Sequence, residues 1–205
     1  QADFANAYIG GGALHGGSVQ EEMLFALKPE CYVSMLLCSR MDKSEAIIIS
    51  GAQQFSNYSG YGKKFKYEGP HSSEIPMNTK LNCIDNHIVA IDAVIVIGDS
   101  ALQFKQENII RDMNKLYVSI KDLKPNADSM PPVFSTGNWG CGAFGGDMEL
   151  KAIQQIIVAA EADMPLLYCT FHCPELAKAM KSFVDFCVKQ KVTVGAIMKA
   201  LCTYE

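Results

Sequence analysis

Arginine is nearly missing from this chain: Arg40 and Arg111 are the only two in 205 residues. Guanidinium forks therefore cannot be the main way a phosphate is held, and an anionic ligand has to rely on backbone N–H groups and helix N-termini. A basic excess is missing too. With 18 Lys and Arg against 22 Asp and Glu, the chain lacks the clustered positive charge of a general nucleic-acid binder. No apolar run approaches the roughly 18 residues of a membrane span, and no basic start with a small-residue cleavage site marks a signal peptide. Only 8 prolines and 20% charged residues against 49% hydrophobic ones exclude a disordered tail. A chain of this length can bury roughly 70% of its unfolded surface without covalent staples. The 8 cysteines, several of them among apolar neighbours (Cys31, Cys38, Cys169, Cys187, Cys202), are thus expected to be the reduced thiols of an intracellular protein.

Glycine is present, and it is concentrated. Gly10, Gly11, Gly12, Gly16 and Gly17 form a loop too glycine-rich for a helix or strand, ending at Ser18-Val19-Gln20-Glu21. Those four residues fit a capping box, and Met23, Leu24 and Leu27 predict a helix of about two turns from near Val19. A second short buried helix is expected from Glu30 to Cys38. The β-branched runs Glu45–Gly51 and Ile88–Ile97 predict strands covered on both faces, separated by a polar insertion from about 56 to 86. Helical spacing follows from Gln106 to Ile120, then a proline-bearing loop, Pro125–Pro132, and a strand at Val133–Thr136. Five more glycines lie between Gly137 and Gly146, Asp147 caps an apolar helix, and Leu166–Phe171 reads as a strand. Helices at Pro174 to about Gln190 and at Val194–Leu201 close the chain. Alternating strands and helices predict an α/β domain with a substantially parallel sheet over residues 1–205.

Two constellations can carry chemistry. Asp3, Asn6, the first glycine loop and the pair Glu21-Glu22 bring backbone and carboxylates together as an acid/base or glycosidic site requires. An equally simple reading has Glu21 closing the capping box on Ser18, with acidic residues favoured in a first turn by the helix dipole. In the second, Gly140, Gly142 and Gly145 satisfy G-x-G-x-x-G, but Glu161 and Asp163 precede the next strand instead of ending it, and no G-K-[ST] follows. What survives is a diphosphate cradle of amides and a helix N-terminus. Cys169, His172 and Cys173 lack a second pair at metal-ligand spacing, Ser18 and Ser135 lack a G-x-S-x-G context, and Lys63-Lys64-Phe65-Lys66 reads as a solvated face that adds positive potential near an anionic ligand.

Taken together, Gly10-Gly11-Gly12, seven intervening residues and Gln20-Glu21-Glu22 resemble the signature of the poly(ADP-ribose) glycohydrolase family. Asp3-Phe4-Ala5-Asn6 before it and Thr136 to Asp147 after it are similar to that family as well, and the resemblance runs the length of the chain. It implies a macrodomain, a mixed sheet flanked by helices with an ADP-ribose cleft across its top. Family members carry further strands and a helical accessory region before the signature aspartate, so the chain reads as the carboxy-terminal part of such a catalytic region.

The implied activity is exo-type cleavage of ribose–ribose O-glycosidic bonds of poly(ADP-ribose), releasing ADP-ribose, with no metal and no cofactor. Glu22 would be the general acid and then the base, with Glu21 and Asp3 completing the catalytic set and, with Asn6, orienting the riboses. Gly10, Gly11, Gly12 and Gln20 would lie against substrate, and Tyr61 would close over it. The stretch Gly137, Asn138, Gly140, Cys141, Gly142 and Ala143 would surround the diphosphate, with Phe144 against the terminal ribose. Phe171 would stack on adenine, or else pack in the core. Implied partners are poly(ADP-ribose), ADP-ribose and poly-ADP-ribosylated proteins, with no sequence-specific nucleic acid and no membrane. The implied setting is the DNA damage response in nucleus or cytoplasm. A non-catalytic ADP-ribose reader is the competing expectation, which the intact Glu21-Glu22 pair disfavours.

Overall fold

The computed structural model describes residues 1–72, 75–78, 82–123 and 132–203. Most of the Pro125–Pro132 loop and parts of the stretch from Glu68 to Asn82 therefore lie outside the described residues. The chain divides into two compact units, Gln1–Asp92 and a second one formed by Ala93–Leu123 with residues 132–203.

The first unit holds β1 (Ala2–Phe4), α1 (Gln20–Leu27), α2 (Ser34–Leu37), β2 (Ile47–Ser50), β3 (Ser56–Ser59), β4 (Lys66–Pro70), β5 (Met77–Asn78), β6 (Cys83–Ile84) and β7 (His87–Ile91). Its main sheet runs β1-β7-β2, parallel between β1 and β7 and antiparallel between β7 and β2, so it is the mixed sheet that the family resemblance implies and not the substantially parallel one that alternating elements alone suggest. Central β7 buries Ile88 to Ile91 completely, as an apolar run covered on both faces does. The run predicted to Ile97 stops at Ile91, and Ile95 and Ile97 beyond it are exposed. Edge strand β2 also departs from expectation: it alternates half-buried and exposed residues, with Ile48 turned outward.

On the open side of β1, the Gln20 side chain takes the place of a neighbouring strand. Its Oε1 accepts from Phe4 N at 2.8 Å and its Nε2 donates to Ala2 O at 3.1 Å. Helix α1 buries Met23, Leu24, Phe25 and Leu27, each worth about 1.5–3 kcal/mol of burial, and Leu24 and Phe25 join a core with Ala5, Ile9, Cys31, Met41 and Ala52. Pro29 opens a 3₁₀ turn over residues 29–33 before α2, and this second segment is only partly buried, not buried as predicted: Leu36 and Leu37 are exposed, while Cys31 and Ser34 are buried and Tyr32, Met35 and Cys38 pack against the core.

The second unit holds α3 (Gln106–Ile120), β8 (Phe134–Gly137), α4 (Met148–Glu161), β9 (Leu166–Cys169), α5 (Pro174–Gln190) and α6 (Val194–Cys202). Strands β8 and β9 pair in parallel. Asp147 caps α4 as predicted, accepting from Leu150 N at 2.8 Å. The period of β9 turns Leu167 and Cys169 outward together, so Cys169 is exposed and not in the buried pattern expected of it. The core is built from Ile109, Leu116, Ile120, Phe134, Trp139, Ile157 and Val158.

Candidate active site

In the first unit the glycine loop closes on the protein's own carboxylates. Glu21 accepts from Gly10 N at 2.6 Å and from Asn6 N at 2.9 Å. Glu22 accepts from Gly12 N at 2.9 Å and from Val19 N at 2.8 Å. The residue that reaches back to the start of α1 is therefore Glu22, three positions after Val19, and the reading of Glu21 as the capping partner of Ser18 is incorrect. Gly11 N donates to Tyr8 O, so the amides of Gly10, Gly11 and Gly12 are all engaged within the protein and are not available to a ligand, contrary to the sequence expectation. The glycines are needed because carboxylates crowd them. A Cβ on Gly11, whose φ is +46°, would lie 2.6 Å from Glu21 Oε2, and one on Gly17 would lie 2.7 Å from the Glu22 carboxyl.

Asp3, on β1, is 0% exposed and neither of its oxygens has a hydrogen-bond partner among the described residues. Burial, reinforced by the charges of Glu21 and then Glu22, pushes its carboxyl well above the usual range. Burial likewise pushes Glu21 up to about 7, against the pull of the Asn6 and Gly10 amides, with Glu22 and Asp92 adding like charge. Cys31, buried beside this cluster, is pushed up to about 11, first by burial and then by the charge of Asp3. Three carboxylates thus stand in series, and only Glu22 reaches the surface; Asp3 and Glu21 are buried. The expectation that Asp3 and Glu21 hydrogen-bond the riboses does not fit this burial. Gln20, also expected to touch substrate, has its amide engaged with β1. Asn6 uses Oδ1 on Tyr8 N at 3.0 Å, which leaves its Nδ2 without a partner among the described residues. Tyr61, at the tip of the β3–β4 hairpin, is 43% exposed, hydrogen-bonds the Gln20 backbone and feels the charge of Glu22, while burial raises its hydroxyl.

The second unit's glycine loop is wired differently. Gly137 ends β8 buried, with its carbonyl taken by Trp139 N and Gln155 Nε2. Asn138 donates to Thr170 O and accepts from the Tyr168 hydroxyl, and Cys141 uses its N–H on Asn138 O. Gly137, and the side chain of Asn138, are thus occupied inside the protein. By contrast, among the described residues the N–H groups of Gly140, Gly142, Ala143 and Phe144 donate to no protein acceptor. Such a run of unengaged amides forms an anion-binding concavity. Beneath it, buried Lys151 pairs with Asp112 and lies 5.0 Å from the Trp139 ring, while Arg111 meets Asp112 at 2.6 Å. The sequence reading missed this buried Asp112–Lys151 pair, since nothing in helical spacing reveals that two inward-facing charges come from different helices. Cys141, in the loop, is pushed up to about 12 by burial, with Lys151 opposing. Phe144 is half-buried. Phe171 sits at φ +49° and is 62% exposed, which removes its core-packing alternative. Among the described residues no group of three His, Cys, Asp or Glu gathers at metal-ligand distance.

Mixed sheet, helices and a glycine loop closed on its own carboxylates define an α/β protein with a carboxylate cluster at a helix start. Residues 1–178 match the family described as poly(ADP-ribose) glycohydrolase, macro domain fold, and the chain belongs to that family. It is 40% identical over 210 residues to poly(ADP-ribose) glycohydrolase 1 of Caenorhabditis elegans, covering 98% of this chain and 27% of that protein. It is 35% identical to poly(ADP-ribose) glycohydrolase 2 of the same organism (96% and 42% covered), and 30% identical to the probable poly(ADP-ribose) glycohydrolase 2 of Arabidopsis thaliana (100% and 45%). The chain spans less than half the length of these relatives.

Proposed function

We propose that this chain hydrolyses the ribose–ribose O-glycosidic bonds of poly(ADP-ribose) from the chain end, with Glu22 as general acid and then base. The observation that carries the reading is the carboxylate series, in which Glu22 alone reaches the surface and is fixed at both oxygens by Gly12 N and Val19 N. In the first half of the reaction Glu22 gives its proton to the leaving ribose oxygen as the anomeric C–O bond breaks. In the second, its carboxylate takes a proton from the water that attacks the anomeric carbon. The oxocarbenium-like transition state gains from the negative charge that Glu22 acquires as it gives up its proton.

Asp3 and Glu21, buried and out of reach of a ligand, are positioning residues that act through Glu22. Asn6 Nδ2 is placed to donate to a ribose hydroxyl, and Tyr61 to cover the substrate. The unengaged amides of Gly140, Gly142, Ala143 and Phe144 support the diphosphate assignment, and the exposure of Phe171 supports adenine stacking. Poly-ADP-ribosylated proteins, in the nucleus or cytoplasm and in the response to DNA damage, would supply the polymer.

Incubating the protein with poly(ADP-ribose) and measuring free ADP-ribose tests the reading. Release is expected, together with its loss in Glu22→Gln while polymer binding is kept. Binding without release by the unaltered protein would instead make the chain a reader, and unchanged release in Glu22→Gln would remove Glu22 from its role.

A further inference from the structure

The β3–β4 hairpin is the most basic and most aromatic exposed element of the first unit. Lys63, Lys64 and Lys66 fall within four residues of a chain whose net charge is −4, interleaved with Tyr58, Tyr61, Phe65 and Tyr67. The register pairs Tyr58 directly with Tyr67, so both rings stand on one face, 47% and 66% exposed. The Tyr58 ring also lies 5.4 Å from that of Phe65. The nearest acid on the hairpin, Glu68, is taken by the Ser59 hydroxyl at 2.6 Å, and among the described residues none of the three lysines is in an ion pair.

This surface is tied to the catalytic carboxylate. Gly62 N donates to Met23 Sδ at 3.5 Å, a Cβ on Gly62 would stand 3.5 Å from Ser18 O, and Tyr61 hydrogen-bonds the Gln20 backbone. The tip carrying Lys63 and Lys64 is thus anchored on both sides of Glu22 in the sequence of α1. Cleavage at Glu22 divides a polymer into the unit released and the remainder, and each repeat of that remainder brings a diphosphate and an adenine. Lysines beside exposed tyrosine faces match this alternation of charge and flat ring, as in proteins that track single-stranded nucleic acids.

We propose that the hairpin is an extended subsite for poly(ADP-ribose) beyond the scissile bond, with Lys63, Lys64 and Lys66 on its diphosphates and Tyr58 and Tyr67 against its adenines. The proposal rests on the function given above. It makes the protein prefer long polymer to free ADP-ribose through contacts outside the terminal-unit site.

The test measures dissociation constants of the full chain carrying Glu22→Gln for labelled poly(ADP-ribose) and for ADP-ribose, with and without the triple reversal Lys63→Glu, Lys64→Glu, Lys66→Glu. The ratio of polymer affinity to ADP-ribose affinity is expected to fall at least about tenfold, and the salt slope of polymer binding to drop by about 2, near 0.7 per charge for a single strand. The corresponding triple Lys→Arg variant should keep the ratio, which separates lost charge from lost folding. An unchanged ratio and slope overturn the proposal. So does a single-stranded oligonucleotide that binds the starting protein more tightly than polymer and loses that binding on charge reversal, since the surface would then serve nucleic acid. If the unaltered chain releases no ADP-ribose, the hydrolase reading fails by itself, and a reversal-sensitive polymer affinity still upholds the hairpin.

Discussion

A Cβ added to Gly17 would stand 2.7 Å from the carboxyl carbon of Glu22. Gly17 carries no positive φ, so alanine is acceptable to the backbone and the collision falls on a movable carboxylate. Gly17→Ala is therefore expected to fold normally while displacing Glu22 from Gly12 N and Val19 N. ADP-ribose release should drop tenfold or more, with a melting temperature within a few degrees of the starting protein. Full activity in a folded Gly17→Ala protein would show that the observed Glu22 position is not the working one. Gly195→Ala, on α6 with open space around it, is the matching control and should stabilise by up to about 1 kcal/mol.

The buried carboxylates give stability a pH dependence of definite sign. Glu21 is raised from its ordinary 4.5 to about 7, so between those values the folded protein binds a proton that the unfolded chain has released. Its contribution is fully present below about pH 4.5 and is lost as the pH rises to about 7. The loss is on the order of 3 kcal/mol, at about 1.4 kcal/mol per pKa unit. Denaturant unfolding of the starting protein and of Glu21→Gln from pH 4.5 to 8 checks this, and the difference between the two curves should change steeply in that window. A parallel pair of curves would refute the assignment.

How much of this was legible in the sequence depends on the kind of signal. Helix α3 was predicted at Gln106–Ile120 and is found there, because amphipathic spacing is a property of the helix itself. The cap at Asp147 was equally local. Strand β7 was overextended because an apolar run does not say where the ladder partners end, and those are β1 and β2, far away in sequence. The carboxylate pair was found, but its roles were reversed at the cap: Ser18/Glu21 and Val19/Glu22 are overlapping matches to one spacing, and composition favours serine where the fold uses valine. The glycine loops announced close approach without naming what approaches. In the first unit it is Glu21 and Glu22, and in the second the amides of Gly140 and Gly142 to Phe144 are left unengaged.

The Lys151–Asp112 pair under the second glycine loop is fully buried, so removing one partner strands a charge. Lys151→Met should destabilise by about 3–5 kcal/mol, since Arg111 alone is left to balance Asp112 and the cation over Trp139 is lost. The double variant Lys151→Met, Asp112→Leu should recover a large part of that loss. Chemical denaturation of the two proteins is the measurement, and a single variant as stable as the starting protein would contradict the burial.

Asp3 offers the sharpest separation of stability from chemistry. Its two oxygens are buried without partners, and burial with the charges of Glu21 and Glu22 raises its carboxyl well above the ordinary range. A raised acid opposes folding once the pH is high enough to ionise it in the unfolded chain, and more so as it is forced to ionise in the folded one. Asp3→Asn removes that opposition, so the variant should be more stable than the starting protein at pH 8, and the advantage should vanish as the pH falls below about 3.8, where the unfolded carboxyl is itself protonated. The same change replaces, behind Glu22, a carboxyl that can ionise by an amide that cannot. Because Asp3 has no surface with which to touch substrate, kcat should fall while KM for polymer stays within about twofold. A rise in KM with kcat unchanged would mean that Asp3 meets the substrate directly, in a conformation where β1 and the glycine loop have parted.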